Sequence, residues 1–246
     1  MTLTKCVAPY RNFWHEHCTA HITVAATLPL CDFSVIFADD VLLVLDKPSG
    51  LLSVPGRGLD KQDCLSARVQ KQYPEARVVH RLDMATSGLL VMARGGLAQR
   101  QLNAAFATRA VHKQYEAIVD GVFCTAYPDQ KGDWSVIDQP VMLDWPNRPK
   151  SVIDLVHGKP SVTRWRPLSV NVIAQTTRLE LEPVTGRSHQ LRVHLLAQGH
   201  PILGDRLYGS EAVGAKAGRL LLHATRIELP HPISHKTLSF QSTAPF

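Results

Sequence analysis

The sequence predicts an α+β domain built on a mixed or antiparallel sheet. Segments with strand character outnumber helical ones and do not alternate with them one for one, as a doubly wound parallel sheet would require. The 246 residues are 45% apolar and 20% charged, a globular composition with enough length for one large domain. No repeat, low-complexity tract or linker interrupts residues 34–246, which read as a single domain of two sheet halves.

Residues 1–33 stand apart as an N-terminal extension whose role is open. There Cys6, His15, His17, Cys18 and His21 crowd a poorly periodic segment. Their spacing fits no familiar zinc module, so an arm along the core edge is expected rather than a metal site. From Val35, VIFADDVLLVLDKPSG reads as two strands split by Asp39 and Asp40 and stopped by Pro48 and Gly50. A short helix is expected over residues 63–72. Strands then fit 77–80, 88–93, 111–120, 161–170, 176–183, 219–228 and 237–241, and helices 97–108 and 188–198. Ser188 is expected to cap the last helix, and Gly199 with Pro201 to stop it. On that helix Leu191 and Leu195 face the core while Arg192 points elsewhere. His189 and His194 lie about 140° apart around it, which is wrong for sharing one metal.

A net charge of +6 favours a polyanionic partner. Five cysteines without a CxxC pair suit reduced core thiols rather than a disulfide framework. There is no apolar run of about 18 residues and no secretory signal pattern, so a cytosolic protein without a membrane span is expected. Rossmann glycines, a P-loop and a plausible metal cage are all missing from the sequence.

Three clusters could carry chemistry. In HRLDMATSG, Asp83 stands where one strand ends; turn preferences explain Asp, Ser and Gly there, but not His80 and Arg81 beside them. In TGRSHQLRVH, Arg187 precedes a helix, where it could grip a phosphate, hold a carboxylate ionised, or merely solvate the helix start. In VHKQYEAIV, period two puts Lys113 and Tyr115 on one face, Tyr115 being either a core aromatic or a stacking surface for a nucleobase. The loops SVPGRGLDK, with Arg57, and DWPNRPKS, with Trp145, Asn147, Arg148 and Lys150, offer phosphate and base contacts or are simply solvated.

Together these clusters resemble the RluA family of pseudouridine synthases. The resemblance rests on His80 to Asp83, Thr86 to Gly88, the run Thr185, Gly186, Arg187, His189, Gln190, Arg192, Val193 and His194, the segment HPILGDRLYG, and the RLLLHA strand. It implies the pseudouridine synthase fold, a mixed, mostly antiparallel sheet in two halves with flanking helices and a central cleft. It also implies a cofactor-free isomerisation of uridine in RNA, on a tRNA anticodon stem-loop and a 23S ribosomal RNA hairpin; a monomer is expected, since a small RNA-modifying domain can contact a hairpin alone. By the same resemblance Asp83 is the essential carboxylate, Arg187 its paired arginine, and Tyr115 the ring that stacks on the base and helps remove the C5 proton. Arg81 would fill the gap left by the everted base. His80, Arg57, Lys113, Asn147, Arg148, Lys150 and Arg192 complete the expected RNA-binding set. The S4-type module of many relatives would not fit in the first 33 residues. Two rivals are a non-catalytic RNA-binding protein, which has no need of Asp83, and a glycosidase or nucleosidase, which would want a second catalytic acid.

Overall fold

The computed structural model describes residues 33–123 and 134–246. The chain divides into two units, 1–30 and 31–246; the arm with Cys6, His15, His17, Cys18 and His21, and Cys31 and Cys124, lie outside the described residues. Among those described, the N-terminal strands β1 (Ser34–Ala38) and β2 (Leu42–Lys47) form the expected hairpin. Asp39 closes it, its carboxylate accepting from the amides of Val41 and Leu42 at 2.9 and 2.7 Å. Helix α1 (Leu65–Gln70) follows, then β3 (Ala76–Val78), β4 (Ser87–Arg94), α2 (Gly96–Ala107) and β5 (His112–Asp120). The second half contributes β6 (Ser135–Asp138), β7 (Val141–Leu143), β8 (Ser151–Ile153), β9 (Val162–Asn171) and β10 (Thr176–Pro183). It continues with α3 (Gln190–Ala197), α4 (Glu211–Ala215), β11 (Leu222–Pro230) and β12 (Thr237–Gln241).

The main sheet runs β1-β2-β4-β11-β5-β10-β9-β6, with β3 added on β4 and β12 on β11, while β7 and β8 form a hairpin of their own. Every described pairing is antiparallel except β4 with β11, so the sheet is mixed and mostly antiparallel, as expected. It buries both faces where β2 and β4 lie. Leu43, Leu45, Leu90 and Met92 join a cluster with Leu65 of α1 and Leu191 and Leu195 of α3. Leu42, Val44, Leu89 and Val91 face the other way, against Ala98 and Leu102 of α2. This is why the two strands read as continuous apolar runs rather than alternating ones.

The crossing of β4 and β11 also explains the glycine of TSG. Gly88 adopts φ +108, and a Cβ there would fall 2.4 Å from the Ala224 carbonyl oxygen. Only glycine allows this approach. The short elements β6, β7, β8 and α4 were not expected from the sequence. Runs of three to five residues carry too little periodicity to register.

Candidate active site

The turn that bears Asp83 is held from behind by the segment following β2. The Ser53 hydroxyl donates to the Leu82 carbonyl at 2.6 Å and accepts from the Leu82 amide at 3.1 Å. Ser49 donates to the Ala85 carbonyl at 2.6 Å. The buried Lys47 ammonium donates to the carbonyls of Pro48, Leu51 and Met84. Burial pulls the pKa of Lys47 down to about 8, against the attraction of Asp83. The backbone on both sides of Asp83 is thus fixed, while its side chain, 26% exposed, reaches solvent.

Helix α3 supplies the opposite wall. Its start departs from expectation: Ser188 does not cap it. The capping position is His189, in a left-handed conformation at φ 57 with no side-chain cap, and the Ser188 hydroxyl instead accepts from Arg81 at 3.4 Å. Gln190 takes over the tying of the turn. Its buried amide oxygen accepts from the Thr185 hydroxyl at 2.7 Å and from the Arg187 backbone amide at 3.0 Å, and its nitrogen donates to Val162 and Thr163. The C-terminal stop is as expected, with Gly199 left-handed at φ 79.

Arg187 is not the partner of Asp83. It is exposed on the cleft rim, and its guanidinium reaches the Pro160 carbonyl at 3.5 Å. The guanidinium at the carboxylate belongs to Arg192, 3.6 Å from Asp83 Oδ2. Arg192 is 6% exposed, gripped by Asp205 through two hydrogen bonds of 2.8 and 2.7 Å and lying 4.9 Å from the Tyr208 ring centroid. Burial opposes its charge, but Asp205 and then Asp83 outweigh it and hold the guanidinium above its ordinary pKa. Arg192 was expected to point away from the core and to bind RNA. Instead its side chain is buried, because α3 is buried all round from Gln190 to Leu195 and offers no polar face.

His80 is likewise a structural group. Its Nε2 accepts from the Val91 amide at 2.9 Å, its ring sits 4.6 Å from Phe106, and burial followed by the Lys113 charge drives its pKa down to about 3. It therefore lines the cleft as a neutral ring rather than as a cation for phosphate. His194 uses both ring nitrogens within the fold, on Thr163 and the Gln139 carbonyl.

These walls enclose a cleft of about 540 Å³ in which, among the described residues, Asp83 is the only acidic lining residue. Arg81, Arg109, Lys113 and Arg187 surround it with positive charge, and Tyr115 forms part of the floor with 9% exposure. Burial, then Asp83, raises the Tyr115 phenol above its ordinary value, so the ring carries a neutral hydroxyl into the cleft. Burial lowers the Lys113 pKa. Arg57, Asn147, Arg148 and Lys150 are exposed and lie outside the cleft lining. Arg148 is folded over Trp145, 4.5 Å from the ring centroid.

Three residues had no role assigned from the sequence. His189 places Nε2 3.8 Å from Asp83 and Nδ1 2.7 Å from the Tyr208 hydroxyl. Tyr208 and Asp205 both sit in HPILGDRLYG, where the spacing Asp-x-x-Tyr was the available signal.

One carboxylate facing a buried guanidinium, in a basic cleft without a second acid, defines an enzyme that acts on a polyanion without the paired acids of glycoside hydrolysis. Residues 41–197 match the RNA pseudouridylate synthase family, and the chain belongs to it. It is 46% identical over 212 residues to the dual-specificity RNA pseudouridine synthase RluA of Escherichia coli O6:H1, covering 86% of this chain and 93% of that protein. It is 48% identical over 204 residues to the RluA of Vibrio vulnificus, covering 82% and 79%. Among solved structures, the human RNA pseudouridylate synthase domain containing 1 superposes with a TM-score of 0.71 at 26% identity, covering 87% of this chain and 84% of that one.

Proposed function

We propose that the cleft isomerises uridine to pseudouridine within RNA stem-loops, with Asp83 as the essential carboxylate. The carrying observation is the position of Asp83: the sole acid in a basic cleft, fixed from behind and faced by a buried arginine. The reaction breaks N1–C1′, forms C5–C1′, releases the C5 proton and leaves a proton on N1, with no net redox change. A carboxylate can start it by attacking C1′ or by taking the C2′ proton, and both routes need it charged. The contact with Arg192 favours that charge.

A uridine in a hairpin must be everted before its C1′ is reachable, at a cost of a few kcal/mol. Arg81 is exposed at the cleft mouth, suited to filling the gap. Tyr115 offers a face for the base, and Lys113 and Arg187 offer charge for the flanking phosphates. The loop between β7 and β8, with Asn147, Arg148 and Lys150, grips the hairpin further out. The similarity to dual-specificity RNA pseudouridine synthases supports two kinds of RNA substrate, here taken as a tRNA anticodon stem-loop and a 23S ribosomal RNA hairpin; the enzyme is read as a monomer with a catalytic domain over residues 34–246 and an N-terminal extension.

The test is to incubate the protein with each RNA and detect pseudouridine chemically. Wild type should convert uridine in both RNAs. Asp83→Asn should abolish conversion while retaining RNA binding; substantial turnover by that variant removes Asp83 from the mechanism.

A further inference from the structure

The hairpin β7–β8 is wired to the catalytic carboxylate. The Ser151 amide, at the start of β8, donates to the Tyr208 hydroxyl oxygen at 2.7 Å. That hydroxyl lies 2.7 Å from His189 Nδ1, and His189 Nε2 lies 3.8 Å from Asp83 Oδ1, within ion-pair range and longer than a direct hydrogen bond. His189 holds this position in a left-handed backbone, uncommon for a non-glycine residue though less so for histidine, and enriched where geometry serves function. None of these groups is needed to bind the Asp83 turn, which Lys47, Ser49 and Ser53 already fix.

The first link constrains the order of donors without fixing it: the Ser151 amide can only donate, so the Tyr208 oxygen accepts from it and its own proton is available to His189 Nδ1. With that proton given to Nδ1, the imidazole carries its own on Nε2, the nitrogen that faces Asp83. We propose that Tyr208 and His189 are positioning residues that aim a chain of donors from the β7–β8 hairpin at the Asp83 carboxylate, so that seating that hairpin on RNA orients the group that starts the reaction. The inference rests on the function proposed above.

The surrounding charges are compatible with a neutral imidazole. Asp83, Arg192, Asp205 and Arg81 all act on His189; burial is the largest influence and lowers its pKa. Asp83 is faced in turn by Lys47, Tyr115, His189, Arg192 and Tyr208.

Two measurements test it. Imidazole nitrogen NMR of the full chain reads the tautomer without any RNA. A proton on Nε2 in wild type that is redistributed in Tyr208→Phe supports the chain of donors; a proton on Nδ1 in wild type overturns it. Kinetics supply the second readout. Tyr208→Phe keeps the ring beside Arg192 and deletes one link, so kcat on a hairpin RNA should fall by up to about tenfold, the upper worth of one ordinary hydrogen bond, with KM nearly constant. Losing a donor aimed at a carboxylate favours its protonated form, so the acidic limb of kcat against pH should move to higher pH. His189→Gln, which can still donate, should retain more activity than His189→Ala, and serves if Tyr208→Phe unfolds. A Tyr208→Phe protein with wild-type kcat and pH profile, or one that loses only RNA affinity, sinks the proposal. If wild type makes no pseudouridine, the proposed function falls, and the tautomer alone decides the fate of the chain of donors.

Discussion

Asp83 and Arg192 come from segments more than 100 residues apart, and the buried Asp205 completes the set. Removing the fork of Arg192 leaves Asp205, 1% exposed, without its two-point partner. Arg192→Lys should therefore lower stability by about 3 kcal/mol and impair turnover together. Arg187→Ala should leave thermal stability unchanged and keep single-turnover rate at saturating RNA within about twofold, while weakening RNA affinity up to about tenfold. Thermal unfolding and single-turnover assays on both variants decide the matter; the reverse pattern would return Arg187 to the carboxylate. Asp83, Arg81 and Tyr115 were legible in the sequence because polar residues interrupt an apolar pattern at a strand end or share a strand face. The arginine was misassigned for a definable reason. Helical spacing of Leu191 and Leu195 shows which residues can share a face, but not that Val193 and His194 are buried on the remaining ones, so an arginine between them was placed in solvent.

Strands were legible where they alternate or run apolar for at least five residues: β10 at 176–183 and β12 at 237–241 fall on their expected spans. Pairing was not legible, because the parallel contact of β4 with β11 joins residues 87–88 to 223–224 and leaves no local trace beyond the glycine it requires. That glycine is the sharpest test of the crossing. Gly88→Ala would place a methyl 2.4 Å from the Ala224 carbonyl oxygen and 2.6 Å from its amide nitrogen, both backbone atoms in the middle of the sheet, and at a φ that alanine avoids. A cost of about 3 kcal/mol or more is expected, read as a fall in the denaturant midpoint. A variant as stable as wild type would mean that β4 and β11 are not this close. Because Ser87 and Thr86 adjoin the same crossing, activity should fall in step with stability rather than ahead of it.

At the scale of the whole fold, four histidines among the described residues are held below their ordinary pKa, and this shapes the response to acid. His80, His189, His194 and His223 are all lowered from their ordinary value of 6.5, in each case chiefly by burial, and His80 as far as about 3. In the unfolded chain each takes up a proton as pH drops through 6.5; in the folded chain it does so only further down. The unfolded state therefore binds more protons below pH 6.5, and stability falls with falling pH, by up to about 1.4 kcal/mol per pH unit for each histidine fully inside its window. Above that window their contribution is complete and flat. Lys47 acts with the same sign at the other end: lowered from 10.5 to about 8, it adds stability as pH rises between those values. Denaturant unfolding should accordingly show a midpoint that drops between pH 7 and 5 and rises modestly between pH 8 and 10. His80→Gln isolates the largest histidine term, since glutamine can still accept from the Val91 amide but does not titrate. Its midpoint should change less between pH 7 and 5 than that of wild type, whatever its absolute stability. An unchanged acid slope in that variant would show that the His80 ring is already charged in the folded protein.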